Sequence, residues 1–183
     1  MKIATWNVNS MKVRLPHVME WMQANEPDVL VLQEIKQVTE AFPAAELLEA
    51  GYQSLANGQK TYNGVAVIST TAPADPVLEF PGFDDPQRRV LATTIDGVRV
   101  VNLYIPNGSE VGSEKYDYKL RWLATLRDFL EDEMSRHDDL VVLGDFNIAP
   151  ADEDVYDAEK WGDAILCSPK EREALGRLLD LGL

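Results

Sequence analysis

The chain has 183 residues, 45% hydrophobic and 26% charged, which is the composition of an ordinary globular domain near the size where a single core is the default. No apolar run approaches the roughly 20 residues of a bilayer-spanning helix, and the single cysteine, Cys167, excludes an internal disulfide framework. With no leader pattern at its N-terminus, the chain is expected to be cytoplasmic, and a monomer is the default. A net charge of −14 argues against a broadly basic nucleic-acid-binding surface. Phosphate contacts would have to come from a local rim of cations such as Lys36, Lys60, Arg88, Arg89, Lys115, Lys119 and Arg121.

Residues 2–6 read as a strand, followed by a helix with Pro16 in its first turn and Leu15, Val18, Met19 and Met22 spaced along one buried face. Pro27-Asp28 ends that helix, and residues 28–33 form a second buried strand. A short helix over 41–50 stops at Gly51, and Val65 to Ile68 is the third strand. Residues 73–87, rich in Pro and Asp, read as loop. Residues 89–95 and 98–105 alternate around Asp96-Gly97, a hairpin signal because glycine accepts the positive φ of a type I′ turn. The longest helix spans 114–135, with Trp122, Leu123, Leu126, Phe129, Leu130 and Met134 on its stripe, and a buried strand follows at 140–144. Ser168-Pro169-Lys170-Glu171 is a capping box that opens a last helix through Leu175, Leu178 and Leu179. Helices alternating with strands, interrupted by one antiparallel hairpin, predict an α/β fold of mixed sheets with helices outside. The apolar ending Leu181-Gly182-Leu183 reads as that of a cut domain.

Three of the apolar runs end in oxygen-bearing side chains: Trp6 leads into Asn7 and Asn9, Gln33 into Glu34, and Gly144 into Asp145-Phe146-Asn147. Sites in α/β folds gather where strands leave the sheet. Asn7, Glu34, Asp145 and Asn147 together would form a cluster with two charges and neutral amides, suited to a hard divalent cation such as Mg²⁺. One carboxylate there holds an ion without repelling an anionic substrate. Asp145 is a candidate base that needs neighbours to raise its proton affinity, and Asn147 a group that orients Asp145 or a water. Tyr104 and Asn107, in Tyr104-Ile105-Pro106-Asn107-Gly108, add a phenol and an amide able to bond phosphate oxygens. Each motif alone is more often a turn, a cap or a strand edge; their shared chemistry at strand ends carries the argument. His17 and His137 fit surface positions, there is no Cys/His zinc pattern or Walker loop, and Trp6, Trp21, Trp122 and Trp161 read as core residues.

These segments, in this order, resemble the endonuclease/exonuclease/phosphatase superfamily, and within it the exonuclease III type of abasic-site endonuclease. The matching stretches are Trp6–Ser10, Leu32–Lys36, Asn63–Ala66, Gln87–Arg89, Tyr104–Gly108 and Gly144–Pro150, while Asp152–Tyr156, Trp161 and Ser168–Glu173 look specific to the DNA-repair branch. The resemblance implies a DNase I-like four-layer α/β sandwich, two mixed sheets flanked by helices, here as one domain over 1–183 and incomplete on its C-terminal side. It implies Mg²⁺ or Mn²⁺ held by Asn7 and Glu34, catalysis by Tyr104, Asp145 and Asn147, and phosphate or DNA contacts from Asn9, Lys36, Arg88, Arg89, Asn107 and Lys115. The implied activity is that of a metal-dependent nuclease acting on double-stranded DNA 5′ of abasic sites and at 3′ ends. Nothing here matches the family's further active-site Asp or its closing Ser-Asp-His segment, so the chain alone is expected to be weak or inactive. The alternatives are another phosphodiesterase or phosphatase on the same scaffold, acting on lipid or inositol phosphates, and a non-catalytic RNA-binding regulatory relative.

Overall fold

Eight short strands form two four-stranded mixed sheets. The computed structural model describes residues 1–183, which divide into one unit of Met1–Tyr104 with His137–Asp145 and a second of Ile105–Arg136 with Phe146–Leu183.

The first unit holds both sheets. One contains β1 (Ile3–Asn7), β2 (Val29–Gln33), β3 (Gln53–Asn57) and β4 (Val65–Ser69), in the order β1-β2-β4-β3, with β1 and β2 parallel and the other pairs antiparallel. Helix α1 (Met11–Asn25) connects the parallel pair, and the short α2 (Ala44–Glu49) precedes β3. Alternation along the strands sends Leu30, Leu32, Ala66 and Ile68 toward Val18 and Met22 of α1 and Leu47 of α2. Val29, Val31, Val65 and Val67 face the other way and meet Leu91, Ile95 and Val100 of the second sheet.

That second sheet runs β5 (Ala74–Val77), β6 (Val90–Ile95), β7 (Val98–Tyr104) and β8 (Leu140–Asp145). The β6–β7 hairpin turns at Asp96 and Gly97 with φ of 49° and 85°, as expected for type I′, and β7 and β8 are parallel. A polar staple crosses between the layers. The fully buried Asn102 of β7 donates to the carbonyls of Leu32 (3.0 Å) and Ala66 (2.9 Å) and accepts from Gln33 Nε2 (2.8 Å). Gln33 also donates to Thr5 Oγ1 at 3.0 Å.

The second unit contains α3 (Glu114–Arg136), α4 (Ala158–Trp161) and α5 (Pro169–Leu179), with α3 packed on α5. At the start of α5, Glu171 accepts from the Ser168 N–H at 3.2 Å and hydroxyl at 2.7 Å, the reciprocal half of the expected capping box.

Several expectations are corrected. Helix α1 begins at Met11, so Pro16 lies inside it rather than in the first turn; Pro already has a helical φ, and its ring costs the helix one hydrogen bond. Residues 73–87 include β5, an edge strand, where the missing N–H of Pro76 is tolerated. The half-polar β3 gave no strand signal. The first and last apolar runs, β1 and β8, lie at sheet edges and are largely half-buried, not fully buried. His137 is half-buried, and Trp161 is 36% exposed, outside any core.

Candidate active site

Because β1 runs parallel to β2 and β7 parallel to β8, their C-terminal ends carry Asn7, Glu34, Tyr104 and Asp145 out of the first unit's sheets. The register places Tyr104 directly opposite Asp145 on the neighbouring strand. Asn7 joins the two acids: its Nδ2 donates to Glu34 Oε1 at 3.0 Å and to Asp145 Oδ2 at 2.8 Å. Two carboxylates from distant parts of the chain thus converge on one amide. One residue back along β2 and two back along β7 lies the Thr5–Gln33–Asn102 network.

Glu34 is the most heavily engaged group. Besides Asn7 it accepts from the Tyr104 hydroxyl at 2.8 Å and pairs with Lys36 Nζ at 2.8 Å, and Lys36 also donates to Asn9 Oδ1. Burial pushes the Glu34 carboxyl up, but hydrogen bonds from Asn7, Lys36 and Tyr104, with the Lys36 charge, outweigh it and leave the value below the ordinary glutamate range. Tyr104 is pushed well above the usual phenol range by burial first and then by its bond to Glu34, so it stays a protonated donor. Backbone strain collects here: Asn9, Ser10, Glu34 and Lys36 all have positive φ. These turns are locked by Ser10 N–H to Glu34 O (2.8 Å) and Lys36 N–H to Asn63 O (2.9 Å).

Arg89 departs from the expected DNA-contacting role. It is only 9% exposed, with its guanidinium 4.6 Å above the Tyr104 ring and bonded to Tyr104 O (3.0 Å) and Gln87 Oε1 (2.9 Å). It braces the phenol. Arg88 is partly exposed and only 3.7 Å from Glu79, a loose surface pair.

The second unit carries a separate cluster. Asn147 Nδ2 donates to Ile105 O at 2.9 Å, and Asn107 Nδ2 approaches Asn147 Oδ1 at 3.4 Å. The backbone at Asn147 is left-handed, with φ of 49°. Asn107 is exposed, as is Lys115 in the first turn of α3. Lys119, expected on the basic rim, is fully buried.

The donor set of the first unit fits a hard divalent cation. No three His, Cys, Asp or Glu side chains cluster anywhere, which removes a soft or all-protein cage. Two carboxylates beside an amide instead match an ion that completes its shell with water and substrate phosphate oxygens. Sequence reasoning missed Gln33, Asn102 and the bracing role of Arg89. A polar Asn inside the apolar run Val100-Val101-Asn102-Leu103 was the available signal for one of them.

The endonuclease/exonuclease/phosphatase family profile matches residues 4–180. Exodeoxyribonuclease III of Haemophilus influenzae is 33% identical over 196 residues, an alignment covering 100% of this chain and 73% of the relative. Among solved structures, a 3′-5′ exonuclease from Neisseria meningitidis is 54% identical with a TM-score of 0.97, covering 99% of this chain and 71% of that one. An AP endonuclease from Archaeoglobus fulgidus is 36% identical with a TM-score of 0.93, covering 99% and 70%.

Proposed function

Because the chain belongs to the endonuclease/exonuclease/phosphatase family and has its DNase I-like α/β sandwich fold, we propose that it is a DNA-repair phosphodiesterase of the exodeoxyribonuclease III type, using Mg²⁺ or Mn²⁺. The observation that carries this reading is the convergence of Glu34 and Asp145 on the Asn7 amide at 3.0 and 2.8 Å. Glu34 and Asn7 would hold the ion, which when bound neutralises charge on the phosphate or on the departing oxygen. Tyr104, kept protonated, would turn its one hydroxyl proton from Glu34 to a phosphate oxygen. Asp145 accepts the proton of the attacking water, and the family resemblance assigns Asn147 to orienting water and Asn107 to phosphate contact. Lys36, Asn9, Arg88 and Lys115 supply the exposed polar rim along the DNA backbone.

Relatives named for two kinds of substrate bear on specificity. The 54% identity to a 3′-5′ exonuclease exceeds the 36% identity to an AP endonuclease, which weights the reading toward 3′ ends, with abasic sites as a second target. The test is single-turnover hydrolysis with the chain in excess over a duplex carrying a recessed 3′ end or one abasic analogue, in Mg²⁺ or Mn²⁺. Cleavage that requires the metal and is lost in Asp145→Ala and Glu34→Ala supports the proposal. Hydrolysis of phosphoinositides with none of DNA, or DNA cleavage that persists unchanged in Asp145→Ala and Glu34→Ala, overturns it.

A further inference from the structure

We propose that Lys119, backed by Glu171, is a positioning residue that sets Asn107 and Asn147 at a fixed spacing. The kinetic part of this inference rests on the phosphodiesterase reading above; the geometric part does not. Lys119 and Glu171 are both 0% exposed. An ammonium has three protons to donate, and Lys119 Nζ has three acceptors: Asn107 O at 3.2 Å, Asn147 O at 2.6 Å, and Glu171 Oε1. Glu171 is itself pinned by the N–H of Leu166 (3.2 Å) and by the N–H and hydroxyl of Ser168 (3.2 and 2.7 Å). Tyr116 reaches the same Ser168 hydroxyl at 2.6 Å. The backbone is pressed onto the lysine stem at Gly108, where φ is +90° and a Cβ would lie 3.1 Å from Lys119 Cδ and 2.8 Å from Ile165 Cδ1.

Two amides 40 positions apart thus hang by their main-chain carbonyls from one buried charge, and their side chains meet at 3.4 Å. Replacing a buried ion pair by apolar groups is often neutral for stability. A methionine would fill the space of Lys119, but it has no donor to offer two carbonyls. Fixing those carbonyls is therefore the service that requires lysine. Full burial also removes Lys119 from any contact with DNA phosphate.

The direct measurement uses the unaltered chain: the Lys119 NH₃⁺ resonances should exchange slowly with water and show through-hydrogen-bond couplings to the carbonyl carbons of Asn107 and Asn147. Rapid exchange without those couplings overturns the proposal. The perturbation is the double variant Lys119→Met/Glu171→Gln, which leaves no lone buried charge. Per folded molecule, the side-chain amide resonances of Asn107 and Asn147 should shift or broaden. The rate constant for hydrolysis should fall about 10²-fold, the effect of misplacing groups by about 1 Å. The slope of log K against log salt for DNA binding should not change, whereas Lys115→Ala should reduce it by about 0.9, the loss of one phosphate contact. A folded double variant with unchanged amide resonances and rate, or one whose salt slope falls by about 0.9, overturns the assignment. If DNA cleavage is the same in Asp145→Ala as in the unaltered chain, the functional reading fails, while the NH₃⁺ couplings still decide the positioning role.

Discussion

Gly144 sits in β8 immediately before Asp145, and replacing it with alanine should separate site geometry from overall folding. Its φ is +142°, and a Cβ there would lie 2.0 Å from the Leu103 carbonyl oxygen and 2.8 Å from Leu103 C and N, all backbone atoms. Ordinary contact begins near 3.4 Å, so the strands must part by about 1.4 Å at this pair. The next pair in register is Tyr104 with Asp145, so the opening is delivered to the site. Asp145 then moves off the Asn7 amide, now 2.8 Å away, by enough to break that bond. Displacement of about 1 Å costs about 10² in rate, and strained backbone costs on the order of 1–3 kcal/mol. For a chain of this size that strain lowers the melting temperature by roughly 2–12 °C. Thermal denaturation with single-turnover hydrolysis at 25 °C, where the variant remains mostly folded, reads both quantities. Gly176→Ala in α5 is the control: nothing lies within 4 Å of its Cβ, and it should raise stability by up to about 1 kcal/mol at unchanged rate. A Gly144→Ala variant that melts with the parent and cuts within threefold of its rate would refute the reasoning.

Asn102→Ala removes three buried hydrogen bonds, one from the Gln33 amide and one to each of two carbonyls, so urea denaturation should show a loss of about 3 kcal/mol; a loss under 1 kcal/mol would mean water replaces the amide. Arg89→Met should lower the hydrolysis rate about tenfold by releasing Tyr104, while the salt dependence of DNA binding holds and Arg88→Ala reduces its slope by about 0.9. Glu34 has a folded value below its unfolded one, so its contribution to stability is complete above the ordinary glutamate range and disappears as pH falls through the depressed value. The melting-temperature gap between the parent and Glu34→Gln should therefore narrow from pH 6 toward pH 3; a gap that stays constant shows that Glu34 titrates alike in both states.

The sequence made the elements legible wherever pattern and punctuation agreed. Val29–Gln33, the Asp96-Gly97 hairpin, the long apolar stripe of α3 and the Ser168 start of α5 all stand where their local chemistry puts them. The strand-end position of Asn7, Glu34, Tyr104 and Asp145 was equally readable, because parallel pairing fixes which ends coincide. What local chemistry does not record is which charges are consumed internally. Arg89 and Lys119 look like surface cations until partners at Tyr104 and Glu171, far along the chain, neutralise or accept from them. Weak strands failed for a related reason: β3 and β5 are strands because a neighbour pairs with them, not because their own residues insist on it.

Asn102 has a bearing on how the sandwich chooses its alignment. The facing side chains of the two sheets are aliphatic, valines meeting Leu91, Ile95 and Val100, and such oily contacts carry no direction of their own. A one-residue slip of β7 turns Asn102 to the opposite face and presents Leu103 instead, leaving the Gln33 amide and two carbonyls dry. The amide therefore acts as an indexing pin: grease drives the layers together, and a single keyed position decides which of the competing stackings is native.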